Sequence, residues 1–130
     1  MKLDESVYDI KTLIEGNQKG AMDVAALKIS KFGGITALKK LEIYVHILGL
    51  KCVSKILWGS DITTAAVLHL GISCDPNRLL NVCDLSSYVS PRLDAKIPSR
   101  NNGKISAPEG IGLGVDPDLD LLGQPDLIID

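Results

Sequence analysis

No stretch of this 130-residue chain is apolar for long enough to cross a bilayer. Every hydrophobic run is broken by Lys, Gly or Asp well before the roughly 18 residues that a span requires. No basic-plus-apolar leader opens the sequence, so the expectation is a cytoplasmic protein with no membrane partner. Charge of one sign is also lacking. The net charge is −2, and the Lys and Arg residues are scattered rather than striped, which offers no electrostatic footprint for nucleic acid. Cysteine is sparse and odd in number. Cys52, Cys74 and Cys83 show no C-x-x-C spacing, so neither a disulfide framework nor a zinc site is indicated, and three reduced, partly buried thiols are expected. His46 and His69 lack a second His or Cys at ligand spacing and are expected to pack or to lie at the surface.

What is present is enough apolar content, 45% of residues, to build the core of one ordinary domain. Strand-like and helix-like segments alternate along the first half. Lys2-Leu3 is a short strand, and Ser6 with Asp9 three residues on resembles a capping box for a helix over Val7 to Gln18, with Ile10, Leu13 and Ile14 as its stripe. Val24 to Ile29 is expected to be a buried parallel strand, and Gly33-Gly34 a turn into a helix over Ile35 to Leu48. Leu38, Leu41, Val45 and Leu48 recur there at spacings of three and four, which marks the inner face. Lys51 to Leu57 is a third strand, Ser60 or Asp61 caps a helix over Ile62 to about Ile72, and Leu79 to Cys83 is a fourth strand that ends at Asp84. Such an order implies a parallel α/β sheet whose right-handed crossovers curl it into part of a barrel.

From about Ser86 the texture changes. Pro91, Pro98, Pro108, Pro117 and Pro125 fall in this region with the glycine-rich Gly110-Ile111-Gly112-Leu113-Gly114, so an extended wrap of turns and short strands is expected. The Gly112-x-Gly114 run follows no strand and opens no helix, which excludes a nucleotide loop and leaves a tight structural turn. The expected division is residues 1–85 as a partial barrel and 86–130 as the wrap.

The chemistry-bearing residues sit where strands end. Asp4-Glu5-Ser6 closes the first apolar run and Lys28 the second, within Leu27-Lys28-Ile29-Ser30-Lys31-Phe32-Gly33-Gly34-Ile35. In a (β/α) barrel the C-terminal strand ends form the catalytic rim. An acid at one end and a lysine at the next can hold a divalent cation beside a base that removes a proton from carbon. Each residue also has a plainer reading. Asp4 and Glu5 favour the positive N-terminus of the helix that follows, Lys28 is a solvated strand end, and Asp61 is a helix cap.

These segments, with Trp58-Gly59-Ser60-Asp61-Ile62 and Ala107-Pro108-Glu109-Gly110-Ile111-Gly112-Leu113-Gly114-Val115-Asp116, resemble the enolase superfamily. The resemblance is to the C-terminal part of its mandelate racemase and muconate lactonizing enzyme family. It implies a (β/α)₇β TIM-like barrel of which this chain holds about four βα units, the equivalents of strands five to eight, plus an extended C-terminal tail. It also implies Mg²⁺ held by strand-end acids, with Asp4 matching the fifth-strand ligand and Lys28 the sixth-strand acid/base. The reaction implied is abstraction of the α-proton of a small carboxylate substrate, as in a racemase, epimerase, cycloisomerase or dehydratase. Asp84 would point into the same mouth and touch substrate.

The sequence departs from the family's pattern in definite places. Two further metal-ligating acids and the second-strand lysine are not found in it, so Mg²⁺ binding and activity by this chain alone are not expected. Lys55-Ile56-Leu57 stands where similar proteins place acidic residues, and Ile111 where they commonly have proline. Tyr44 and Ile47 replace small or charged residues. Two functions follow: a fragment of a Mg²⁺-dependent carbon-acid enzyme, or a non-catalytic half-barrel interaction module. Four parallel strands without neighbours leave open edges, so a homo-oligomer or another association through those edges is expected.

Overall fold

The computed structural model describes residues 1–55 and 58–129. Four parallel strands form one sheet: β1 (Lys2–Leu3), β2 (Val24–Lys28), β3 (Lys51–Lys55) and β4 (Leu79–Val82), lying side by side in chain order. Three helices make the crossovers: α1 (Ile10–Gln18), α2 (Ile35–Ile47) and α3 (Asp61–Ser73). The expected α/β order is therefore the observed one. The register is continuous from Val24↔Lys51 to Lys28↔Lys55, so the last residues of β2 and β3 stand side by side. The third strand was expected to reach Leu57; Ile56 and Leu57 lie outside the described residues.

Strand periodicity of two explains how β2 serves both core and rim. Ala25 and Leu27 join the apolar cluster of Leu13, Leu38, Leu41, Val45 and Cys52. Ala26 and Lys28, one residue out of phase, lie on the opposite face of the strand. Leu13, Leu27 and Leu38 are wholly buried, which stabilises the fold by about 1.5–3 kcal/mol per side chain. The inner face of α2 is as expected at Leu38, Leu41 and Val45, while Leu48 is partly buried just beyond the helix end. Gly34, with φ of 112°, starts α2 in a conformation that a side chain would strain.

Two local expectations are corrected. The first helix begins at Ile10 rather than Val7, and its capping box is Asp9 with Thr12, not Ser6 with Asp9. The Asp9 carboxylate accepts from the Thr12 amide at 2.7 Å and Thr12 Oγ1 accepts from the Asp9 amide at 3.2 Å. Val7 is fully buried and its amide donates to Asp4 O, so residues 4–7 form a turn that leads the chain away from the strand end. The stripe of α1 is also narrower than expected. Leu13 is buried, whereas Ile10 is exposed.

Asp61 is not the cap of α3. Ser60 holds that position without a side-chain hydrogen bond, and Asp61 is the first helical residue. Its carboxylate turns to the tail. Oδ1 meets Arg92 Nε and Nη2, each at 2.7 Å, and Oδ2 accepts from the amides of Leu93 at 2.8 Å and Asp94 at 3.2 Å. Burial alone would raise the Asp61 pKa, but Arg92 and these amides outweigh it and hold the group below its ordinary value.

Residues 86–129 run mainly without regular structure. Asp94 organises them further, accepting from the amides of Lys96 and Asp116, each at 2.8 Å. His69 Nε2 lies 3.0 Å from Leu113 O, and the Asp118 amide donates to Leu93 O at 2.7 Å. In place of short strands the described tail has one bridge, Asn101↔Lys104, and two helical turns, Ser86–Tyr88 and α4 (Leu119–Leu122), the second capped by Asp118. No described helix is long and apolar enough to cross a membrane.

Candidate active-site rim

Because the strands are parallel, the residues that close β1, β2 and β3 gather at one edge of the sheet. Asp4 follows Leu3, Lys28 ends β2 and Lys55 ends β3. The structure brings Asp4 and Lys28 together: Lys28 Nζ lies 3.0 Å from Asp4 Oδ1. Lys28 Nζ also pairs with Glu5 Oε1. The second oxygen of each acid meets another lysine. Lys55 Nζ is 2.6 Å from Asp4 Oδ2, and Lys31 Nζ is 2.6 Å from Glu5 Oε2 and 3.1 Å from Glu5 O. The result is a chain of alternating charge, Lys55 to Asp4 to Lys28 to Glu5 to Lys31, with one positive charge in excess.

Burial is uneven along that chain. Lys28, in its middle, is only 3% exposed, whereas Glu5 at the solvent side is open. Burial on its own would lower the Lys28 pKa, but the carboxylates of Glu5 and Asp4 outweigh it and hold the ammonium above its ordinary value. For Asp4, burial would raise the pKa, yet the hydrogen bonds from Lys55 and Lys28 carry it below the usual carboxylate value. Lys28 and Lys31 likewise lower Glu5. In this state the Lys28 ammonium is shielded from solvent and held between two carboxylates.

Asp84 takes a different position. It follows β4, is buried, and accepts through Oδ1 from Ser86 Oγ at 3.1 Å and from the Ser87 amide at 3.3 Å. Its carboxylate thus organises the turn Ser86–Tyr88, and no ion pair among the described residues joins it to the lysine–acid chain. Tyr88 in that turn meets Trp58 edge to face, with ring centroids 6.4 Å apart.

Glu5, Lys31 and Lys55 were not singled out as site residues from sequence. Lys55 had a legible signal, since it ends the third strand as Lys28 ends the second. Lys31 had one as well, lying one turn beyond Lys28. The partnership of Glu5 with both lysines needed the fold, because its carboxylate reaches across to residues 23 and 26 positions away.

The donor set can be tested against Mg²⁺. No three His, Cys, Asp or Glu side chains converge as a metal site among the described residues. Asp4, the one strand-end acid expected to ligate, has an ammonium against each of its oxygens. The described residues therefore do not fit a Mg²⁺ shell by themselves.

Comparison with known proteins places this geometry in context. A family model described as enolase C-terminal domain-like matches residues 2–121. The chain is 36% identical over 123 residues to cis-3-hydroxy-L-proline dehydratase of Roseibium aggregatum, a match that covers 95% of this chain and 34% of that protein. It is 29% identical over 118 residues to muconate cycloisomerase 1 of Rhodococcus opacus, covering 90% of this chain and 31% of the relative. Among solved structures, a mandelate racemase/muconate lactonizing enzyme from Roseovarius nubinhibens superposes with a TM-score of 0.89 at 30% identity, over 98% of this chain and 34% of that one. Another from the same organism, solved in complex with magnesium, superposes equally well at 30% identity, over 97% of this chain and 35% of its own. The chain thus spans about a third of the length of the curated relatives it matches.

Proposed function

The chain belongs to the enolase C-terminal domain-like family, and from that premise we propose that Lys28 moves a proton at the carbon beside a substrate carboxylate when the rest of such a barrel is supplied. Residues 1–85 then stand for strands five to eight and residues 86–130 for the wrap around them. In such a barrel Asp4 would be one of the groups holding Mg²⁺, once Lys28 and Lys55 release its oxygens, and the cation would supply charge stabilisation at the substrate carboxylate. Asp84 borders the substrate from the end of β4.

One observation supports this reading above the others: a lysine 3% exposed at the C-terminal end of a parallel strand, with its Nζ 3.0 Å from a strand-end aspartate. Removing an α-proton from a carboxylate breaks a C–H bond and leaves its electron pair delocalised over a second negative charge. Ammonium groups fixed beforehand at the rim offset that charge as it develops, and Lys31 and Lys55 supply them. As the ammonium, Lys28 returns a proton to the carbanionic carbon. As the neutral amine it removes one, and neutrality requires that Asp4 and Glu5 turn elsewhere.

The test joins this chain to the N-terminal two thirds of cis-3-hydroxy-L-proline dehydratase and follows exchange of the α-hydrogen of cis-3-hydroxy-L-proline in D₂O with Mg²⁺ present. Lys28→Met should lower exchange by about 10²- to 10⁴-fold without altering the far-ultraviolet circular dichroism. A complex that elutes as one species yet exchanges no faster than buffer would overturn the proposal.

A second reading rests on Lys55. Its Nζ stands 2.6 Å from Asp4 Oδ2, so that the carboxylate already has an internal counter-charge. This supports a non-catalytic half-barrel module that associates through the outer edges of β1 and β4. Leu80 is exposed on β4, and an assembly larger than a monomer follows. Light scattering at micromolar concentration decides this point, and a monodisperse monomer rejects association through the edges.

A further inference from the structure

Cys52 is the second residue of β3, at the end of the strand remote from Lys55. Cys74 follows the last residue of α3, and the two sulfur atoms lie 3.6 Å apart. Cys52 is 1% exposed, whereas Cys74 is partly exposed. Both line a cavity of about 200 Å³ shared with Glu42, His46, Asp75 and Arg78. These side chains do not converge as a metal site, and nothing in the carbon-acid chemistry of the rim uses them.

We infer that Cys52 and Cys74 are an oxidisable dithiol that closes to an intramolecular disulfide when the protein meets a peroxide. The sulfur atoms need to approach from 3.6 Å to about 2.05 Å. Cys74 can make that movement because it lies outside α3, in extended backbone with φ −82° and ψ 153°. Burial, reinforced by the neighbouring Cys74, pushes the Cys52 thiol up to about 12, so first attack falls to Cys74, which the cavity opens to solvent.

The chemistry balances. The Cys74 thiolate attacks one oxygen of hydrogen peroxide and the O–O bond breaks, giving a sulfenic acid and hydroxide. Cys52 loses its proton to that hydroxide, giving the first water, and attacks the Cys74 sulfur. The S–O bond breaks, and its oxygen leaves as hydroxide that takes up the proton Cys74 first gave to solvent, giving the second water. Two thiols are oxidised by two electrons, and one peroxide is reduced to two waters. The bond joins residues 22 positions apart and closes the β3–α3 unit at the end opposite the rim. The lysine–acid chain is left untouched.

The test treats the full chain, under native conditions, with one equivalent of hydrogen peroxide, followed by iodoacetamide and mass spectrometry. The expected product is about 2 Da lighter before alkylation, carries label on Cys83 only, and yields a cross-linked peptide containing Cys52 and Cys74. Dithiothreitol should restore the mass. Cys83→Ser should leave the 2 Da loss intact and Cys74→Ser should abolish it. Label on all three cysteines, sulfinic acid on Cys74, or a disulfide through Cys83 would each overturn the inference. The peptide map of the unaltered chain decides the matter even where a variant folds poorly.

Discussion

Around the sheet, cohesion comes from apolar contact: Leu13, Leu27, Leu38, Leu41 and Val45 interlock from strands and helices with almost no exposed surface. Between residues 86 and 129 two carboxylates do the equivalent work. Asp61 fixes Arg92, Leu93 and Asp94, and Asp94 fixes Lys96 and Asp116. The described end of the tail buries little, with Leu119, Leu127, Ile128 and Ile129 all exposed. The contrast shows that a segment can be tied to a fold by a few hydrogen-bonded charges without contributing a core of its own. Such ties are directional, so they fail singly and at defined atoms, whereas apolar burial fails in proportion to volume.

The contrast breaks most sharply at Asp61. Asp61→Ala leaves Arg92 without its partner and should cost about 3–5 kcal/mol. Hydrogen exchange should show the Leu93 and Asp94 amides losing protection while the β2 and β3 amides keep theirs. Retained protection at Leu93 would mean that the tail is held by something other than this carboxylate. Leu38→Ala tests the opposite half. It should lower the urea unfolding free energy by about 3 kcal/mol through the cavity it leaves, with the Leu93 and Asp116 amides still protected under native conditions. Loss of tail protection there would show that the two regions do not open separately.

The third and smallest effect is that of acid. Asp61 is held below its ordinary value of 3.8 against the opposing push of burial, and the amides of Asp116 and Lys96 lower Asp94 in the same direction. A carboxyl whose pKa is lower in the folded state stabilises above the unfolded value, and that contribution is lost as the pH falls through the folded value. Exchange at the Lys96 and Asp116 amides should therefore accelerate, beyond its intrinsic pH dependence, only below about pH 4 and before the sheet opens. The Lys28 contribution has the opposite sign, because its pKa is raised; it fades only as the pH rises past 10.5.

The same contrast explains what could be read from the sequence. Strands, crossover helices and the inner face of α2 follow from spacings of two, three and four, because their burial is set by neighbours close in the chain. Asp4 and Lys28 were legible as strand ends for that reason. Asp61 was not, since a residue in the first turn of a helix carries the local mark of a cap, and its partner Arg92 lies 31 positions further on. The capping box of α1 was misplaced by three residues because Ser6-x-x-Asp9 has the usual order of hydroxyl then acid, whereas the observed Asp9-x-x-Thr12 box reverses it, with Val7 buried ahead of the helix. Glu42 is a different failure. It sits among the buried residues of α2, where burial raises its pKa and Lys39 is its partner at 3.1 Å, a placement that periodicity alone assigns to an apolar residue.

The strand order carries a kinetic consequence. Each strand of the sheet pairs with the one made just before it, at separations that hardly vary, from Lys2↔Val24 through Val24↔Lys51 to Cys52↔Leu79. Loop closure is therefore a repeated step of nearly constant entropy rather than one long search. As the chain is synthesised, each of β2, β3 and β4 follows the strand it pairs with, so the order of pairing in the sheet is the order of synthesis.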